Sequence, residues 1–199
     1  MLSLADGIES TYKYNNVDYL LDLSFDNVLR VLELNANTQL SDDFRVNLAI
    51  DVLFEDEMPW ARFDEEKPLL NIEEKAKVLF DIFENCIVKN NNEGIQYDIE
   101  GNRMPVATND TESNDSCLSL TQDSDYIFAS FLQDYNIDLI DMRGKLHWDK
   151  FRALLNSLRD DTAIKSIMNI RQAELPTGKG SEKEREALIK LKNHYRLND

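Results

Sequence analysis

The sequence predicts a mainly α protein: a small N-terminal β-hairpin, then helical bundle packing in two halves joined by a flexible linker. Three observations carry this. Apolar residues recur at helical spacing through most of the chain. Strand-like alternation is confined to residues 11–23. Residues 89–121 are rich in Asn, Asp, Ser and Thr and break the periodic pattern. The 199 residues therefore divide into an acidic hairpin-plus-helices region (1–89), a linker (90–121) and a C-terminal helical bundle (122–199).

In TYKYNNVDYLLDL, Tyr12 and Tyr14 alternate with polar neighbours, as do Tyr19, Leu21 and Leu23. Asn15-Asn16 between them is a turn signal, because Asn accepts positive φ. A lone hairpin is marginal in water, so it must lie on a helix or pair with another edge. Ser24 or Asp26 opens a helix with Val28, Leu29, Val31, Leu32 and Leu34 as its apolar residues. Ser41-Asp42-Asp43 caps the next, with Phe44, Leu48, Ile50, Val52 and Leu53 expected in the core. MPWARFDEEKPLL reads as a loop, with Pro59 and Pro68 as breakers. Asn71 caps a third helix, and Glu73 and Glu74 sit in its positive first turn. Its inward residues are expected to be Ile72, Ala76, Leu79, Phe80, Phe83 and Ile87. The flexible part of the linker is placed at residues 102–118.

The strongest periodicity runs from Asp123 to Arg171. Tyr126, Ile127, Phe128, Phe131, Leu132 and Tyr135 form an aromatic stripe, with Asp123 and Ser124 as caps and Asn136 as a left-handed stop. Ile137, Leu139 and Ile140 make an apolar connector, ended by Arg143-Gly144-Lys145. A second helix carries Trp148, Phe151, Leu154, Leu155 and Leu158 on one face. Asp160 or Asp161 caps a third, with Ile164, Ile167, Met168 and Ile170 inward. After Pro176, Ser181 with Glu184 makes a capping box for a last helix to about Tyr195. Ala187, Leu188, Leu191 and Tyr195 form its stripe, and Lys190 and Lys192 sit near its C-terminal end, where the helix dipole favours them. Amphipathic helices this close together hide their stripes against one another or against a partner. Tyr126, Phe128, Phe131, Trp148, Phe151 and Leu155 are the candidate core or partner-binding residues.

Charge narrows the function classes. The net charge is −16. Residues 1–120 hold 9 Lys+Arg against 25 Asp+Glu, a net of −16, and residues 121–199 hold 13 of each, a net of zero. Such a surface repels phosphate backbones, so no nucleic-acid partner is expected; it favours solubility and a basic partner. No apolar run reaches the roughly 18 residues of a membrane span, and the N-terminus lacks a signal-peptide pattern. Cys86 and Cys117 have no partner motif and read as free thiols of a reducing cytoplasm.

Motifs for chemistry are absent. YDIEGN lacks the Asp-x-Asp-x-Asp-Gly spacing of a calcium loop and its later Glu. Gly178-Lys179-Gly180 is no phosphate loop: Ala173 stands where the first Gly is needed, Gly180 where Ser or Thr is, and a helix precedes instead of a strand. His147 and His194 fall in no metal or nucleophile motif, and His147 beside Trp148 reads as a helix-start position. No catalytic residue, metal ligand or cofactor site is therefore expected, and no enzymatic activity.

The runs FASFLQDYNIDLI, GKLHWDKFRALLNSL and IMNIRQAEL, the basic terminal helix, and VDYLLDLSFDNVLRVLELN near the N-terminus resemble the phage gene-product-fifteen family of tailed phages and prophages of Gram-positive bacteria. The resemblance covers most of the chain apart from about residues 90–120. It implies a non-catalytic role in tail morphogenesis, similar to that of tail assembly chaperones that bind the tape measure protein. It also implies a place in the host cytoplasm and absence from the mature virion. The alternatives are a structural tail component kept in the virion and a prophage-encoded interaction protein. The unpaired hairpin and aromatic-rich helices further raise self-association as an expectation.

Overall fold

A computed structural model gives the fold and describes residue 8 and residues 10–54, 70–88, 117–178 and 180–198. The architecture is mainly α with a single two-stranded antiparallel sheet among the described residues. They fall into two units: residues 10–21 with residues 38–88, and Asp22–Asn37 with residues 117–198.

In the first unit, strands β1 (Thr11–Tyr14) and β2 (Val17–Leu20) pair in register, Tyr12 opposite Tyr19. Asn15 and Asn16 both adopt positive φ (48° and 61°), the turn that matches strand twist. The hairpin does not stand alone. Leu21 bridges to Phe54, and the rings of Tyr12 and Tyr19 meet Phe54 edge-on at 6.5 and 6.4 Å. Phe54 follows helix α2 (Asp42–Leu53), which packs on α3 (Ile72–Ile82) and buries Ala49, Ile50 and Leu53. Asn71 and Glu74 close a capping box on α3, each side chain bonded to the other's backbone N–H at 2.9 Å. The helix then widens into a π-helical segment, Phe83–Val88, that buries Ile87.

Two helix faces in this unit differ from expectation. Phe44 is 54% exposed, because it lies on roughly the opposite side of α2 from Ala49, Ile50 and Leu53. On α3 the buried residues are Val78 and Ile82, while Ala76 is exposed and Phe80 is 64% exposed. The run Val78-Leu79-Phe80 is apolar around the helix, so spacing alone leaves the inward side open. The loop expected at residues 58–70 lies outside the described residues except for Leu70. So do the YDIEGN stretch and the linker up to residue 116.

In the second unit, helix α1 (Phe25–Ala36) packs on α5 (Trp148–Asn156). This helix, grouped with residues 1–89 in the sequence, thus shares a unit with the C-terminal helices. A two-bond clamp aligns their starts: Phe25 N–H donates to the Leu146 carbonyl at 2.9 Å, and Trp148 N–H donates to Leu23 O at 2.8 Å. Asp26 in the first turn of α1 accepts the Gly144 N–H at 2.8 Å and faces Arg143 Nε at 3.8 Å. Gly144 has φ 67°, a left-handed turn that a side chain would strain. His147 caps α5, its Nδ1 accepting the Asp149 N–H at 3.1 Å.

Helix α4 (Ser124–Tyr135) ends on Asn136 in the left-handed conformation (φ 53°). It packs on α6 (Ala163–Gln172), which carries α7 (Glu182–His194). Three expected caps are replaced. Thr162, not Asp160 or Asp161, is the N-cap of α6, and its hydroxyl turns away to Arg159 O. The Ile164 N–H is satisfied by Ser130 Oγ of α4 at 3.1 Å, while the same hydroxyl donates to Tyr126 O at 2.7 Å. Ser181 makes no side-chain cap to α7 and donates to Gly178 O. Asp123 makes no side-chain cap to α4. It is buried, and both its oxygens accept from the Arg171 guanidinium at 2.7 Å. Arg171 also donates to Tyr195 O at 2.6 Å and Cys117 O at 2.9 Å, so one side chain fastens the ends of α4, α6 and α7.

Four stability outcomes follow from these contacts. Ser130→Ala strands a buried N–H and should cost about 1–3 kcal/mol in chemical denaturation. Ser24→Ala should change stability by less than about 0.5 kcal/mol or raise it, since the buried Ser24 hydroxyl has no hydrogen-bond partner and makes no cap bond. Arg171→Met leaves Asp123 as an uncompensated buried charge and should cost about 3–5 kcal/mol; adding Asp123→Asn should recover much of the loss. Asp134 accepts the Arg159 N–H at 3.0 Å and pairs with its guanidinium, which together hold its pKa below the ordinary 3.8. Its contribution is therefore full above about pH 4 and lost as pH falls through the lowered folded value. Asp134→Asn should flatten that acid limb in thermal melts recorded from pH 6 to about pH 2.

Candidate functional site

The second unit carries an apolar cleft of about 340 Å³, open to solvent on one side. Its floor is a pile of rings. Phe151 of α5 stacks on Phe25 of α1 (5.1 Å, 17° between planes), on Phe131 of α4 (5.3 Å, 13°) and on Trp148 (5.6 Å, 19°). Offset stacking of this kind adds about 0.5–1.5 kcal/mol per pair beyond the area buried. The stacked rings come from three helices, α1, α4 and α5.

The walls come from three parts of the chain. Phe25 and Leu29 project from successive turns of α1, and Ile127 and Phe128 from the first turn of α4. Leu120 lies just before α4, and Leu139 and Ile140 belong to the connector before α5. Phe25, Ile127 and Leu139 are buried, Leu29 and Phe128 are half-buried, and Ile140 at the edge is 66% exposed. The apolar connector seen in the sequence thus splits its duty: Leu139 points into the core and Ile140 toward solvent.

Polar groups stand only at the margin. Asp26 is engaged by Gly144 and Arg143. Ser124 and Asp125 line the opposite edge, in the positive first turn of α4. The cleft therefore offers an apolar receptor with a weakly negative rim, and its interior supplies no nucleophile or titratable pair. Among the described residues, no group of three or more His, Cys, Asp or Glu is placed to hold a metal. No helix among them is long and apolar enough to cross a membrane.

The six candidate residues distribute unevenly. Phe131, Trp148, Phe151 and Leu155 are buried, so they build the core. Of these, only Phe151 reaches the cleft, as part of its floor. Phe128 forms part of a wall. Tyr126 is half-buried and meets the ring of Tyr195 at 6.1 Å, on the side of α4 that faces α7. Phe25, Leu120, Leu139 and Ile140 belong to the cleft but are not among the six candidates, Leu139 and Ile140 being read from the sequence only as part of a connector. They lie in separate segments, and only the packing of α1 beside α5 brings them together.

Comparison with known proteins places this arrangement. No curated protein and no solved structure matches the chain. A family model does, over residues 4–197, and its description is bacteriophage Gp15 protein. The match includes both units and the stretch between them, so the chain belongs to the bacteriophage Gp15 protein family.

Proposed function

We propose that this phage-related chain is a tail morphogenesis factor, a tail assembly chaperone that binds the tape measure protein and works by holding and not by turnover. The observation that carries the reading is family membership over nearly the whole chain, joined to an apolar cleft left open on one unit. Cleft and exposed helix faces would cover amphipathic segments of the tape measure protein before the tail tube forms, preventing premature association. The acidic excess of residues 1–120 would keep the complex dissolved and repel nucleic acid. On this reading the protein acts in the host cytoplasm and leaves before the virion is complete.

Co-expression with the tape measure protein of the same phage or prophage tests the reading. The expected result is that the two co-purify and that the tape measure protein moves from the pellet to the soluble fraction. Mass spectrometry of purified virions should then find the tape measure protein without this chain. An insoluble, unbound tape measure protein, or stoichiometric amounts of this chain in virions, would overturn the assignment.

A further inference from the structure

We propose that the cleft between α1, α4 and the connector before α5 is the receptor for a basic amphipathic helix of the partner polypeptide. Its apolar side chains would seat against Phe25, Ile127 and Phe128, with a Lys or Arg of that helix opposite Asp125. This inference deepens the partner-binding reading above and rests on it.

The chemistry of the cleft selects the occupant. A small metabolite is fixed in a pocket by polar groups that converge on it. Here the lining is mainly apolar, and of its polar residues Asp26 is already bound to Gly144 and Arg143 while Ser124, Asp125 and Arg143 are exposed. A volume of about 340 Å³ suits a few large apolar side chains. An extended peptide gains its affinity from main-chain bonds to a sheet edge, and the cleft walls are helices and a connector with no strand. A helix satisfies its own backbone and needs only an apolar seat, so it is the form of polypeptide that fits.

Charge selects the sign. Arg143 is drawn to Asp26 at 3.8 Å, leaving Asp125 as the carboxylate on the rim with no ion pair among the described residues. The acidic excess lies mostly outside the cleft-bearing unit, so the preference for a basic over an acidic helix rests on the rim carboxylate of Asp125. Ile140 stands at the mouth, where a docked helix would cover it.

The test uses the full chain and two synthetic amphipathic helical peptides with the same leucine stripe, one flanked by Lys and one by Glu, titrated calorimetrically at moderate salt. The Lys peptide should bind and the Glu peptide should not. Ile140→Asp should weaken the Lys peptide by about tenfold or more, through lost apolar contact. Asp125→Lys should weaken it by about threefold to tenfold, and Asp51→Lys, on the other unit, by much less. Both cleft positions are exposed, so circular dichroism should show an unchanged fold. Equal binding by wild type, Ile140→Asp and Asp125→Lys would overturn the inference, as would preference for the Glu peptide. A wild-type dimer in light scattering that Ile140→Asp converts to monomer would give the cleft to a second copy instead. The two readings fail separately. Undiminished co-purification of the tape measure protein with Ile140→Asp overturns the cleft while the chaperone role stands. Cleft-dependent peptide binding without tape measure binding leaves the cleft and removes the chaperone role.

Discussion

The stack of Phe25, Phe131 and Phe151 is the contact on which the cleft-bearing unit depends. Phe151 is almost fully buried and touches a ring from α1, a ring from α4 and Trp148 of its own helix. Two of these rings, Phe25 and Phe151, also line the open cleft. Core and recognition surface are thus two sides of one layer, and the apolar receptor is as rigid as the packing beneath it. The walls above the floor inherit their positions from backbone bonds that leave little freedom. The clamp between Leu23–Phe25 and Leu146–Trp148 sets α1 beside α5, and Asp26 pins the Gly144 turn.

Electrostatics is used sparingly and at joints. The Asp123–Arg171 pair is buried and bidentate, and Arg171 spends its other donors on the carbonyls of Cys117 and Tyr195. Burying two charges is costly unless each is fully bonded, and here the bonding ties the start of α4 to the ends of α6 and α7. Asp134 and Arg159 do the same at a more exposed place, joining the end of α4 to the turn before α6.

What could be read in the sequence was local. Asn15-Asn16, Asn71 and Asn136 announced a turn, a cap and a stop, because each exploits a conformational habit of Asn that needs no distant partner. The helical class and the aromatic stripe of α4 were equally plain. What stayed hidden was set by tertiary packing. The inward face of α3 is ambiguous in a run such as Val78-Leu79-Phe80. The cap of α6 comes from Ser130 on another helix, and no motif near Asp160 or Asp161 can announce that. The cleft draws on segments from Phe25 to Phe151, so its residues share no spacing. Aromatic content pointed instead to Phe131, Trp148 and Phe151, which the fold uses mainly to build the layer below.

The cleft-bearing unit is discontinuous: Asp22–Asn37 belongs with residues that follow position 115, and the rest of the described chain between them forms the other unit. On a ribosome, the α1 ring of Phe25 therefore emerges long before its stacking partner at 151. During that interval the helix is orphaned, and its apolar face is open to misassociation or to holdase capture. The other unit, residues 10–21 with the described residues between 38 and 88, is synthesised in full before α4 and α5. Vectorial synthesis thus imposes an order of maturation: the cleft lining is complete only after Phe151 has been made, and a ribosome stalled ahead of α5 would carry a chain without it.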